Sequence, residues 1–370
     1  MQHARGRLAL TPTERERLAD WYEEAVAGSG QPSEERSVLE LLTRPFSRAE
    51  IPEYYRYTSL HVYDWFLTPH QADPVTAGLT ALRVTLLDLA AREREQRAPL
   101  PGFGAAESAE RRARLAALID TLDTPPDRPG GWWPQGPPGE PGGPGEPRRE
   151  LSVLVRCTGF PQSDVHHEHL FLRSVHACEV VFFLARWTAC RAIAAITADD
   201  LPQALLRTRQ TARCAELLTG ILHVLRTLSP EQFMSFRAAT GDASAVQSLN
   251  YHLAELAVYG YDPRKTEVFL GVHHLHPLNE PPYRDLWPLR SAVRAADQPE
   301  LTEAFAAVEQ ALLTWRGRHY GFGRRYLPRE LKGSGGTEGA GYLKRIVDKT
   351  PCLPGPSGPV PEEMFRFARC

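Results

Sequence analysis

The stretch Asp164–Ile196, DVHHEHLFLRSVHACEVVFFLARWTACRAIAAI, decides how the chain folds. Apolar residues recur along it at spacings of three and four, the period of a helix, and no alternation of period two interrupts them. Read as one long helix, it carries two neighbouring stripes. Phe171, Val175, Cys178 and Phe182 fall on the first; Leu172, His176, Glu179 and Phe183 fall on the second. The most apolar run inside it, Val180–Ala185, is broken by Arg186. That is far short of the roughly 20 residues a spanning helix needs, so no membrane partner is expected.

Outward from this stretch the same period continues. A second long pattern covers Asp199–Leu228. Ser229-Pro230-Glu231 then reads as a helix start, with Ser as N-cap, Pro at the first helical position and an acid in the first turn; helix is predicted through Phe236 and Arg237. Ser244–Tyr259 and Gln298–Leu327 complete the C-terminal set. On the other side, Thr11-Pro12-Thr13-Glu14 opens a segment with Leu18, Trp21, Tyr22 and Ala25 at helical spacing. Another pattern runs from Asp73-Pro74 through Leu79, Leu82, Leu86 and Leu89 to Arg97, and a third spans Glu107–Leu122. Between the first two lies an aromatic piece, Tyr54-Tyr55-Arg56-Tyr57 through Tyr63, Trp65 and Phe66, which reads as a buried packing surface, with a lid or partner-contacting arm as the alternative. No strand series and no Gly-rich strand-to-helix turn is present. The fold class is all-α.

Composition sets the organisation. Of 32 prolines and 28 glycines, nine and seven respectively fall between Pro125 and Pro147. Gly136, Gly139, Gly142 and Gly145 keep a three-residue period there, too short for a collagen triple helix, and the segment reads as a linker. It divides the chain into an N-terminal helical region (residues 1–123), a Pro/Gly-rich linker (124–149) and a C-terminal domain (150–370). A formal charge of −2 leaves no electrostatic footprint for nucleic acid. The N-terminus has no apolar signal region, and the six cysteines form no CxxC. Reduced thiols and a cytoplasmic location are expected.

Several residues carry potential chemistry. Histidines gather at His166, His167, His169 and His176, and again at His273, His274 and His276. His167-Glu168 lacks a second histidine at zinc-protease spacing, and the later group reads as loop, solvent-facing or capping. His319 sits centrally in a stripe of Leu312, Trp315, Phe322 and Tyr326, with successive spacings of 3, 4, 3 and 4. A histidine placed so must satisfy its ring nitrogens, by a core hydrogen bond or by ligating a metal. Lys332–Gly339 is Gly-rich, and its amides suit an anionic group, with Ser334 adding a hydroxyl. Arg237, beside Phe233 and Phe236, is a structural arginine or the bidentate holder of a ligand carboxylate.

Taken together these pieces resemble the tryptophan 2,3-dioxygenase superfamily of haem-dependent aromatic oxygenases. The matching blocks, in family order, are His166–Leu172 followed by Glu179, Phe233–Arg237, Ser244–Tyr251, Trp315–His319, and Lys332–Gly336 leading to Tyr342-Leu343. The resemblance spans about residues 150 to 350 and leaves the N-terminal region unmatched. It implies that His319 is the axial ligand of a b-type haem and that molecular oxygen is a co-substrate. It implies further that Arg237 grips the substrate α-carboxylate and that Phe171 packs on the indole. Ser334, with Gly335 beside it, stands where the family contacts the amino-acid end. A homo-oligomer, dimer or tetramer, follows from the same resemblance.

Two departures qualify it. Counting from Phe171 and Glu179, the family's distal histidine falls on Val175, not His176. One helical residue is a rotation of about 100°, so the two cannot both face one point. Either the helix shifts locally to present His176, or the distal pocket is aliphatic. The family's tyrosine-rich helix before Leu151 is also missing, and Tyr54, Tyr55 and Tyr57 are candidates to replace it. The resulting expectation is an oxygenase acting at the indole C2/C3 bond of L-tryptophan or a substituted, for example methylated, tryptophan in natural-product biosynthesis. Monooxygenation to an oxindole or a hydroxylated aromatic amino acid is the alternative outcome. A non-catalytic haem sensor and a haem-free interaction protein are the rivals.

Overall fold

The computed structural model describes residues 6–28, 33–96, 104–123, 148–326, 340–349 and 360–368. Among these residues there are fifteen α-helices and no strand. In chain order they are α1 (Pro12–Ala27), α2 (Glu34–Thr43), α3 (Glu53–Thr58), α4 (His61–Leu67), α5 (Val75–Glu95), α6 (Ala105–Asp123), α7 (Arg148–Thr158), α8 (His166–Thr197), α9 (Leu201–Leu225), α10 (Pro230–Arg237), α11 (Leu249–Tyr259), α12 (Thr266–Gly271), α13 (Leu289–Ala296), α14 (Pro299–Tyr326) and α15 (Ala340–Ile346). The fold is all-α.

Local chemistry sets the helix starts. Thr11 Oγ1 accepts from the Glu14 amide at 3.2 Å while Glu14 accepts from the Thr11 amide at 2.7 Å, a closed capping box at the head of α1. Ser229 and Gln232 close a second one at the head of α10, at 3.2 and 3.0 Å. The pattern over Ser244–Tyr259 divides in two: a 3₁₀ turn at Ala245–Gln247, then α11, which restarts because Ser248 caps it, accepting from the Tyr251 amide at 3.1 Å.

Helix α8 runs unbroken through the centre, with α9, α5, α11 and α13 packed around it and α14 along α9. By length and apolar content alone it passes for a membrane-crossing helix, but most of it is buried inside the protein. Two of its buried charged groups are held by partners, which makes their burial tolerable. Arg173 donates to Asp88 of α5 at 2.6 and 2.8 Å and to Thr158 of α7 at 2.7 Å. Glu168 accepts from the amides of Gln162 and Ser163 at 2.7 and 2.8 Å.

The composition boundary is not a boundary in the core. Leu79, Leu82, Leu86 and Leu89 of α5 and Leu122 of α6 share one apolar cluster with Leu170 and Val180 of α8 and Leu217 of α9. Burying each such leucine stabilises the fold by roughly 1.5–3 kcal/mol. Gly78 lies at a tight crossing: a Cβ there would lie 2.7 Å from Leu184 Cδ2, so a larger residue would require Leu184 to move where α5 passes α8. The helices on either side of the Pro/Gly-rich stretch are thus one packed body. That stretch, residues 124–147, lies outside the described residues, and Arg148 and Arg149 already belong to α7.

Candidate active site

A cleft of about 1490 Å³, its open mouth included, lies between α8, α10, α11, α14 and α15. The α8 wall presents Phe171, Ser174, Val175, Cys178, Glu179 and Phe182. These fall at helical spacing, so one face of a straight helix supplies them all. The α14 wall presents Trp315, His319, Phe322, Gly323 and Tyr326 by the same spacing. Arg237 enters at the end of α10, and the chain after it adds Thr240 and Ser244.

Aromatic rings join the walls. Phe182 of α8 meets Trp315 of α14 edge-on, with centroids 5.6 Å apart. Phe171 packs on Phe233 and Phe236 of α10 at 5.6 and 5.7 Å, and Phe322 stacks on Tyr326 at 3.9 Å. Such contacts leave a lining that is largely apolar. Among the described lining residues Arg237 is the one arginine or lysine, Glu179 the one carboxylate and His319 the one histidine.

His319, half-buried, is set differently from His176. Its ring stacks on Trp315 at 5.3 Å, and among the described residues it has no hydrogen-bond or ion-pair partner. Loss of surrounding water pushes its pKa down to about 4, so the imidazole is neutral with a lone pair to offer. His176 shows the opposite arrangement. It is fully buried; Nε2 donates to the Thr58 carbonyl at 2.7 Å, and Nδ1 accepts from Arg173 at 3.3 Å. Both of its nitrogens are spent on the fold.

The geometry therefore separates the two residues that the sequence left open. Helix α8 has no local shift, Val175 lines the cleft, and His176 points into the core beneath α3 and α4. His176 is thereby turned away from the cleft by one residue's rotation. Phe171, Val175, Arg237 and His319 come together in one cleft. Ser334 and Gly335 lie outside the described residues, although α15, just beyond them, places Tyr342 and Leu343 on the wall. Three other histidines bond within the fold: His166 to Glu93 at 3.2 Å, His274 to the Gln247 carbonyl at 2.7 Å and His276 to the Leu270 carbonyl at 2.8 Å. No cluster of three metal-ligating side chains occurs among the described residues.

Two lining residues were not expected as such. Glu179 belongs by simple counting to the stripe of His176, but the wall is wide enough to take residues 100° apart. Its carboxylate accepts from Tyr54 Oη at 2.7 Å and from Asn250 Nδ2 at 2.9 Å, and burial raises its pKa. Tyr54 is the second: of the three N-terminal tyrosine candidates it alone lines the cleft. Tyr55 instead accepts from the Leu249 amide at 3.2 Å, and Tyr57 packs on Leu172.

Comparison with known proteins agrees with the helical core. The family profile described as tryptophan 2,3-dioxygenase matches residues 155–265. Tryptophan 2,3-dioxygenase of Bacillus cereus is 26% identical over 231 residues, covering 50% of this chain and 81% of the relative. The enzymes of the same name from a Bradyrhizobium species and from Burkholderia pseudomallei are 26% and 25% identical over 229 residues, covering 82% and 74% of those proteins. The matched span contains Phe171, Val175, Glu179 and Arg237, the α8 and α10 sides of the cleft. The all-α fold and these distant but mutually consistent matches support a divergent member of the tryptophan 2,3-dioxygenase superfamily.

Proposed function

We propose that this chain is a haem-dependent oxygenase that adds oxygen at the indole C2/C3 bond of L-tryptophan or a substituted, for instance methylated, tryptophan. The observation that carries this reading is the pairing, in one aromatic cleft, of a neutral imidazole, His319, that has no hydrogen-bond partner among the described residues, with Arg237, the one cation among the described lining residues. A haem would need one histidine to hold it and apolar walls, not a cluster of ligands, and His319, with Trp315 and Phe322 on the same wall, would meet that need. The reading assigns b-type haem to His319; when bound, the haem supplies the centre at which molecular oxygen reacts.

The protein's own groups do the rest. Arg237 offers a planar fork that matches a carboxylate, fixing one end of the substrate. Phe171, braced by Phe233 and Phe236, gives the flat face against which an indole lies. Holding both ends turns a loose encounter into a defined approach of the reacting carbons. Ser334 and Gly335 are assigned to the amino-acid end, completing the clamp. Val175 contributes no proton donor or acceptor on the α8 wall, where a histidine at this register would.

That aliphatic position favours the second outcome, monooxygenation to an oxindole or a hydroxylated aromatic amino acid, as a close alternative to ring cleavage. Mass analysis of products from tryptophan and methylated tryptophans, with oxygen and reductant, decides between them: a gain of two oxygen atoms or of one. Purified protein that shows no Soret band after haem supplementation overturns the reading altogether. An unresponsive haem spectrum on addition of any aromatic amino acid favours a sensor. A role in natural-product biosynthesis, a cytoplasmic location and a homo-oligomeric assembly, dimer or tetramer, belong to the same proposal.

A further inference from the structure

The arginine that faces the cleft from α10 is supported from behind by one that never reaches the cleft. Arg111 of α6 is fully buried, and Nη1 lies 3.2 and 3.3 Å from the two carboxylate oxygens of Glu93 on α5. The rest of the guanidinium addresses the elbow between α9 and α10. Nε donates to Thr227 Oγ1 at 3.0 Å; Nη2 donates to the Thr227 carbonyl at 3.4 Å and to Gln232 Oε1 at 3.5 Å. Gln232 is also the residue that closes the capping box at the head of α10. A cation there meets the negative end of the α9 dipole and the first turn of α10 at once. From the opposite side Tyr326 of α14 donates to the Leu228 carbonyl, so the elbow is gripped by two helices.

Helix α10 is eight residues long, and Arg237 is its last residue. Its head and tail are separated by about 10 Å at 1.5 Å per residue, so a tilt of roughly 6° displaces Arg237 by about 1 Å. A misplacement of that size by a remote change is worth up to about 100-fold in a positioned reaction. We infer that Arg111 is a positioning residue: it sets the pose of α10 so that Arg237 meets the substrate carboxylate. This inference rests on the reading of Arg237 as the carboxylate holder. It also gives the region N-terminal to the family-matched residues 155–265 a task in substrate recognition.

The test is calorimetric titration of the haem-loaded protein with L-tryptophan and with 3-methylindole, the same ring without its amino-acid end. Arg111→Lys keeps the charge beside Glu93 and loses the fork; Thr227→Val removes the Nε acceptor together with the hydroxyl's bond to the Val224 carbonyl, leaves Arg111 itself in place, and guards against a variant that fails to fold. Each is expected to weaken L-tryptophan binding, by about tenfold for Arg111→Lys, while 3-methylindole binding is unchanged. In an Arg237→Ala background, Arg111→Lys should cost nothing further. Equal losses for the two ligands, a loss that persists in the Arg237→Ala background, or wild-type affinity in both variants overturns the inference. Wild-type protein that binds neither ligand overturns instead the reading on which it rests, and the two failures are distinguishable.

Discussion

The two long walls of the cleft treat histidine in opposite ways. On the α14 wall, His319 has a stacked neighbour and, among the described residues, no polar partner, and its neutral ring is presented to the cavity. On the α8 wall the nearest histidine, His176, is turned inward and locked between Thr58 and Arg173, leaving Val175 at the surface of the cleft. Both imidazoles are pushed down by burial, to about 4 and about 3. A depressed pKa therefore does not distinguish a ligand from a core residue. What separates His319 from His176 is that, among the described residues, its ring has no hydrogen-bond partner.

The largest expected effect tests the α14 wall. His319→Ala should abolish stable haem binding, read as loss of the Soret band on purified, haem-supplemented protein; retained binding would break the contrast outright. Next is the cation between the walls. Arg237→Ala should raise the Kd or KM for L-tryptophan by about 100-fold, with the haem spectrum intact, as expected when a charged hydrogen-bond pair of about 3 kcal/mol is lost. An unchanged KM would refute the clamp.

Two smaller effects sharpen the description of the α8 wall. Tyr54→Phe removes the 2.7 Å bond to Glu179 and leaves a buried carboxylate short of a donor. Urea unfolding should report a loss of about 1–3 kcal/mol. His176→Asn tests the inward lock through pH. The folded pKa of about 3 lies below the ordinary value of 6.5, so between these values the unfolded chain binds a proton that the folded chain refuses. The associated stability is complete above pH 6.5 and is lost as pH falls, by about 1.4 kcal/mol per pH unit for one histidine. The variant should flatten the stability slope between about pH 6 and pH 4 by that one proton's worth, with no change in haem binding. An unchanged slope would mean that His176 is not locked neutral.

Much of this arrangement was legible before any coordinates. Helices α8, α9 and α14 are long, and their period repeats often enough to be unmistakable; the capping boxes at Thr11 and Ser229 announce two further starts. Short helices such as α3 and α4 were read only as an aromatic patch, because six or seven residues hold too few turns to set a period. Phe171, Val175, Arg237 and His319 could be named because each lies in a local motif. Glu179 was assigned to the wrong side, since counting stripes assumes a wall one residue wide. Arg111 was invisible for another reason: its partner Gln232 is 121 residues away, and a tertiary pairing of that kind leaves no local trace.

The tight crossing at Gly78 and Leu184 limits how the protein can be cut or joined. A segment chosen by its family match would begin near residue 155 and discard α5, exposing the flank of α8 that the glycine was chosen to cover. Such a fragment would present a strip of leucine and valine to water and invite aggregation. The smallest unit worth grafting, crystallising or evolving in the laboratory therefore keeps the N-terminal helices, however foreign their sequence looks beside the relatives.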